Sequence, residues 1–296
     1  MKLILLPLLL IAACSTTKEK APTSAPANVS NEAFKKEKPL SNSEISDYYQ
    51  GNAKSLNPAL LDETLDRMTP EELAKLNVAA DPLMDISVRC GQRDFEGAFA
   101  IAGKNFNKYQ KVAQYWNLVA NCHLNQGSHR KALLFYNKAL EVTPNYVPAL
   151  NNIGVLYSRQ GLDQKALVAF ERANKQSKFS KTPRYNLAKL YLTYGLAEQA
   201  QPLFLSLLNG SPKDVDILNA VGSTYFLMSD YNRALSYYQQ IPRSEWDRAE
   251  IGLNVAYTYK KVGKAAEAQK IFSGIKDPSS ANLRRYYSAI ESQLGE

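Results

Sequence analysis

A period of 34 residues runs from Ala113 to residue 282 of this 296-residue chain, and no other feature limits the possible folds as tightly. Five blocks follow without a gap: 113–146, 147–180, 181–214, 215–248 and 249–282. Position 8 of the block holds Ala120, Gly154, Ala188, Gly222 and Ala256, and position 20 holds Ala132, Ala166, Ala200, Ala234 and Ala268. Position 11 is His123, then Tyr157, Tyr191, Tyr225 and Tyr259; position 24 is Tyr136, Phe170, Phe204, Tyr238 and Phe272. Small residues at 8 and 20 let two antiparallel helices approach closely, and the aromatics fill the space beside them. Position 15 carries Gly127, Gly161, Gly195, Ser229 and Gly263, which suits a tight interhelix turn with a positive φ. Pro144, Pro212, Pro242 and Pro278 stop the second helices.

This pattern resembles the tetratricopeptide repeat (TPR). The resemblance implies an all-α fold, a right-handed superhelical solenoid of antiparallel helix pairs, whose concave face takes a protein or peptide partner. In TPR proteins that face is lined by positions 2, 5, 9, 12 and 13 of each first helix. Carried onto this chain, those positions give Asn117, Asn121, Asn125, Asn151, Arg159, Tyr185, Lys189, Asn219, Phe226, Tyr257, Lys260 and Lys261. Asparagines hold a peptide backbone by donating and accepting together, aromatics supply anchor area, and lysines favour acidic groups.

Upstream, residues 79–112 read as a degenerate unit. Arg93 to Ala98 resembles the interhelix turn and the position-20 alanine, while Ile86 and Arg89 depart from the pattern at positions 8 and 11. Residues 41–78 read as a helical extension. Within it Thr69-Pro70-Glu71-Glu72 is a helix start, and helices are expected near Pro58–Arg67 and Glu44–Gln50. At the far end a helix from Ala281 to Leu294 is expected to cap the array, with 283–296 as the capping segment, because each repeat buries its apolar face only against its neighbours.

The first residues read as an address. Lys2, the apolar run Leu3 to Ile11 and the small residues Ala12-Ala13 make a secretory signal over 1–13, too short to span a bilayer. Ile11-Ala12-Ala13-Cys14 resembles the bacterial lipobox, which implies cleavage before Cys14 and a covalent diacylglycerol with an N-acyl chain such as palmitate on that residue. No other cofactor is expected. Several acyl chains hold a membrane stably where one does not. Ser15 rather than aspartate after the cysteine implies the outer membrane, periplasmic side, in a Gram-negative envelope. Residues 14–40, rich in Ser, Thr, Ala, Pro and Lys, read as a flexible tether.

The remaining readings are mostly exclusions. The formal net charge of +8 is spread along the chain, so nucleic acid is not expected as a partner. His123 and His129 read as packing or surface residues, and no phosphate loop or metal-ligand spacing is present, so neither catalysis nor a metal is expected. Cys90 and Cys122 fall in the first helices of adjacent units, and two free, half-buried thiols are favoured over a disulfide. Anchor, tether and groove together describe a non-catalytic envelope scaffold. Among lipoproteins it resembles the type IV pilus pilotins, which help a secretin assemble, and the adaptors of peptidoglycan hydrolases; a self-associating structural protein is the third reading.

Overall fold

The computed structural model describes residues 81–177, 180–276, Pro278 and 281–295. The signal segment, Cys14, the tether and the expected helices between 41 and 80 lie outside these described residues. The described elements are thirteen α-helices and one short 3-10 turn, with no strand among them. In chain order they are α1 (Pro82–Gly91), α2 (Phe95–Tyr109), α3 (Ala113–Asn125), α4 (His129–Val142), α5 (Val147–Arg159), α6 (Asp163–Gln176) and α7 (Lys181–Thr193). Then follow α8 (Ala197–Gly210), α9 (Val215–Leu227), α10 (Tyr231–Tyr238), the 3-10 turn Arg243–Glu245, α11 (Ala249–Lys261), α12 (Ala265–Phe272) and α13 (Ala281–Gly295). The fold is a tandem array of TPR helix pairs.

Backbone packing divides the chain into two compact units, one ending at Pro183 and one beginning at Arg184. In the first, Leu83, Ile86, Ala98, Leu118, Ala120, Ala132, Tyr136, Ala149 and Leu156 form one core. In the second, Ala188, Phe204, Leu218, Ala220, Ala234, Tyr238, Ile251 and Val255 do the same. A further cluster joins Leu253, Ala256 and Phe272 to Leu283, Tyr286 and Ile290 of α13.

The packing shows why the period has its residues. A Cβ added to Gly154 would lie 2.5 Å from the Phe170 ring, and one added to Gly222 would lie 2.5 Å from the Tyr238 ring. Positions 8 and 24 therefore fit as a pair: in these two repeats the ring sits directly on the glycine. Gly154→Ala is expected to destabilise the first unit by about 1–2 kcal/mol, the overpacking cost less the entropy that alanine saves in a helix, measured by denaturant unfolding.

Position 15 adopts a positive φ in every repeat: Gly127 (83°), Gly161 (69°), Gly195 (72°) and Gly263 (79°), and also Ser229 (61°) and, in the degenerate unit, Arg93 (65°). The turn geometry is thus imposed by the helix pair even where the residue resists it. Ser229→Gly should stabilise the second unit by ~1 kcal/mol, read as a rise in its denaturation midpoint.

The degenerate unit is held differently. Arg89, at the position-11 site of an aromatic, pairs instead with Asp85 (2.7 Å) and Asp94 (2.6 Å). Cys90 and Cys122 form a disulfide across α1 and α3, with their Cα atoms 5.1 Å apart and both residues buried. The expectation of two free thiols is corrected: parallel first helices of neighbouring repeats bring positions 12 and 10 within the separation a disulfide spans.

Candidate functional site

The first helices of successive repeats are joined by a ladder of buried amides. In the first unit Asn152 Nδ2 on α5 donates to Asn117 Oδ1 (3.2 Å) and Asn121 Oδ1 (2.9 Å) on α3. In the second, Asn254 Nδ2 on α11 donates to Asn219 Oδ1 (3.2 Å) and Ser223 Oγ (3.2 Å) on α9. Both rungs run from position 6 of one repeat to positions 5 and 9 of another. Tyrosines at position 24 finish them: Tyr136 Oη donates to Asn121 Oδ1 (2.7 Å), and Tyr238 Oη lies 3.1 Å from Ser223 Oγ. Burial pushes the Tyr238 phenol up, so it stays neutral.

This ladder reassigns part of the groove read from the sequence. Asn117, Asn121, Asn151 and Asn219 are all buried. Asn151 donates to Asn152 Oδ1 (3.2 Å), and Asn219 reaches Glu250 O (3.4 Å) as well as Asn254. Their hydrogen bonds run between and along the first helices, so here they serve the stack. Asn152 and Asn254, which organise the rungs, were not among the sequence candidates. The signal was present, since position 6 is Asn152, Asn186 and Asn254 in three of the five blocks.

The remaining candidates keep surface. Asn125, Arg159, Tyr185, Lys189, Tyr257 and Lys260 are half-buried and Lys261 is exposed. Tyr185 packs edge-on against Phe204, with ring centroids 5.5 Å apart. Arg159 lies in the first unit and Lys189 in the second. The second unit gathers the best-defined group. Phe226, itself buried, has its ring 5.1 Å from Tyr231 and 5.3 Å from Tyr257, and Lys261 Nζ sits 5.0 Å over the Tyr257 ring. Beside them an open cleft is lined by Met228, Ser229, Asp230, Tyr231, Asn232, Lys261 and Val262. Asp230 is committed to capping α10: it accepts from the Arg233 backbone N–H (3.0 Å) and pairs with the Arg233 guanidinium, which together hold its carboxyl below the usual range. The exposed chemistry is therefore aromatic and cationic, suited to a segment carrying apolar and acidic side chains. Among the described residues no group of three His, Cys, Asp or Glu side chains is placed to hold a metal.

His123 stands where the other repeats have tyrosine. Its ring stacks between Phe99 (4.5 Å, 28°) and Phe135 (5.2 Å, 6°), and Nδ1 is buried without a hydrogen-bond partner. Burial, with Lys131 nearby, lowers its pKa. The fold thus binds the proton less well than the unfolded chain does. Stability should be level above about pH 6.5, the unfolded value, and fall below it until the lowered folded value is passed. In His123→Tyr that loss between pH 7.5 and 5.5 should disappear, as followed by thermal unfolding.

Helix pairs repeating every 34 residues, with small residues at the contacts and a left-handed turn between them, define a TPR scaffold, a class whose members bind proteins or peptides. Family models described as "Tetratricopeptide repeat" match residues 113–146 and 135–168. The anaphase-promoting complex subunit CDC16 of Saccharomyces cerevisiae is 22% identical over 204 residues, covering 67% of this chain but only 24% of its own length. The chain therefore spans about a quarter of that relative. Among solved structures, Pseudomonas aeruginosa PilF superposes with a TM-score of 0.62 at 17% identity, covering 72% of this chain and 96% of PilF. YrrB, described as a TPR protein with an unusual peptide-binding site, gives 0.53 at 17% identity over 66% of this chain and 98% of its own. These likenesses establish the fold.

Proposed function

We propose that this chain is a lipid-anchored, exported TPR scaffold that binds a protein partner in the bacterial envelope and positions it at the membrane, without catalysing a reaction. The observation that carries the binding part is the pair Tyr231 and Tyr257, packed on the buried Phe226, with Lys261 beside an open cleft. Export is supported by the lipobox-like Ile11 to Cys14 and by the Cys90–Cys122 disulfide, a bond that persists in oxidising compartments. The finer reading is a pilotin-type assembly factor acting on a secretin at the outer membrane. An adaptor for peptidoglycan-modifying enzymes is the alternative, and homo-oligomerisation would make it a self-associating structural protein.

Capture from detergent-solubilised envelopes tests the reading. The tagged, acylated chain should retain one envelope protein that the triple variant Tyr257→Ala/Lys260→Ala/Lys261→Ala loses. Retention of the same proteins by the variant would place binding elsewhere. Palmitate labelling that is abolished by Cys14→Ser is expected for the anchor; unlabelled wild-type protein would remove it.

A further inference from the structure

The C-terminal half of α2 and the turn into α3 form one short, contiguous surface that the groove does not explain. Within nine residues Lys104, Phe106, Lys108, Lys111 and Val112 are all exposed, Phe106 to 40% and Val112 to 36%. Lys104 and Lys108 stand at i and i+4, on one face of α2. Phe106 rests on a packed set of rings: it meets Trp116 edge-on at 6.0 Å, Trp116 meets Tyr115 edge-on at 5.0 Å, and Tyr115 stacks with Tyr109 at 6.4 Å. Trp116 Nε1 donates to Gln110 O (2.8 Å) and Tyr115 Oη to Ala102 O (3.1 Å), which fixes the set to the end of α2. Lys108 Nζ lies 4.8 Å over the Tyr109 ring.

The charge here is uncompensated. From Gly97 to Leu140 the chain contains no aspartate or glutamate, and among the described residues none of the three lysines forms an ion pair. Lys108 is held above the usual lysine range, first by Tyr109 and in smaller part by the Asp81 carboxylate. Asp81, which caps α1, is also where the chain leading back to Cys14 joins this unit. A protein hot spot fills a pocket, but the clefts lined by Tyr231 and Lys261 and by Asn145 and Arg172 lie elsewhere. A bilayer needs no pocket: its headgroup region takes ammonium groups on phosphates and apolar tips at the acyl boundary. We infer that this end of the first unit docks on an anionic phospholipid surface, with Lys104, Lys108 and Lys111 on the lipid phosphates and Phe106 and Val112 at the acyl boundary. In an anchored chain that contact would set which way the body faces the membrane. This orienting role rests on the anchored reading, whereas the contact stands on the side chains alone.

The test uses the full chain with Cys14→Ser, which removes the acylation site, and a polarity-sensitive dye on Asn107→Cys, exposed between the lysines, or on Val168→Cys, exposed on α6. Mixed phosphatidylglycerol and phosphatidylcholine vesicles should shift the emission at 107 to the blue and leave that at 168 unchanged; phosphatidylcholine alone should shift neither. Lys104→Gln/Lys108→Gln/Lys111→Gln should lower the affinity for the anionic vesicles roughly 100-fold, about fivefold for each lysine at the surface. Lys104→Arg/Lys108→Arg/Lys111→Arg should keep it, and both triple variants should keep the wild-type unfolding midpoint, because the three side chains are exposed. No shift at 107, equal shifts at 107 and 168, or a shift indifferent to the glutamine triple variant overturns the inference. An equal shift with polyglutamate in place of vesicles also overturns it, and would give the surface to an acidic protein. With serine at residue 14 throughout, each outcome is independent of the anchor, which palmitate labelling tests by itself.

Discussion

Replacing Cys90 and Cys122 together by alanine should lower the unfolding free energy of the first unit by roughly 3–4 kcal/mol, the chain-entropy value for a loop of this length. The two residues are 32 apart in sequence, and the bond closes α1, α2 and their turn onto α3. The effect is large because this unit has little else in the pattern to hold it. Position 8 is Ile86 where the regular repeats use alanine or glycine, and Arg89 substitutes ion pairs for the position-11 aromatic. Its side chain is 38% exposed, so solvent screens these pairs and they add little. Denaturant unfolding of wild type with and without reductant should reproduce the shift seen in the double variant, and the variant should no longer respond to reductant. A shift below about 1 kcal/mol would mean that α1 is held by its packing alone.

Asn254→Ala should cost the second unit roughly 2–4 kcal/mol, because it strands several buried groups at once. Asn254 Nδ2 faces Asn219 Oδ1, Ser223 Oγ and Glu250 O (3.0 Å), and its Oδ1 accepts from Tyr286 Oη of α13 (3.1 Å). The Tyr286 phenol is buried, and that burial pushes its pKa up, so it cannot escape the loss by ionising. One amide thus links α9, α11 and α13. Asn152→Ala in the first unit should cost less, roughly 1–2 kcal/mol, since Asn121 keeps its bond from Tyr136. Hydrogen exchange resolved by segment checks both, with α9 and α13 losing protection together in the first case.

The fold was legible because the repeat is steric. Once Ala or Gly recurs at positions 8 and 20 and an aromatic at 24, few arrangements other than close antiparallel helix pairs accommodate all five copies, and the helices lie in the blocks accordingly. What the period conceals is direction. It shows that Asn117, Asn121 and Asn219 recur on one helix face, but that face is shared between the groove and the seam with the neighbouring repeat, and a short polar side chain can serve either. The seam won because Asn152 and Asn254 bring donors to it. Phe226 was read as a groove-lining aromatic, yet it is buried, with Tyr231 and Tyr257 packed on it.

Other features depend on distances that spacing does not contain. The Cys90–Cys122 bond needed the lateral offset of α1 and α3. The block 215–248 likewise hides a second helix of only eight residues, Tyr231–Tyr238. After it, Ile241 and Trp246 fold back into the core, and the Trp246 carbonyl closes on Gly252, where a Cβ would lie 2.3 Å away. Glycine at that site reads as unremarkable in the sequence because it falls at no recurring position of the repeat.

Whether the aromatic and cationic wall of the second unit receives a protein partner is decided by a photo-crosslinking residue placed at Lys261, on the wall, and separately at Ser236, exposed on α10, in cells making the full chain. One defined protein should be joined at 261 and absent at 236. Equal crosslinking of that protein from both positions, or its capture from 236 alone, would contradict it.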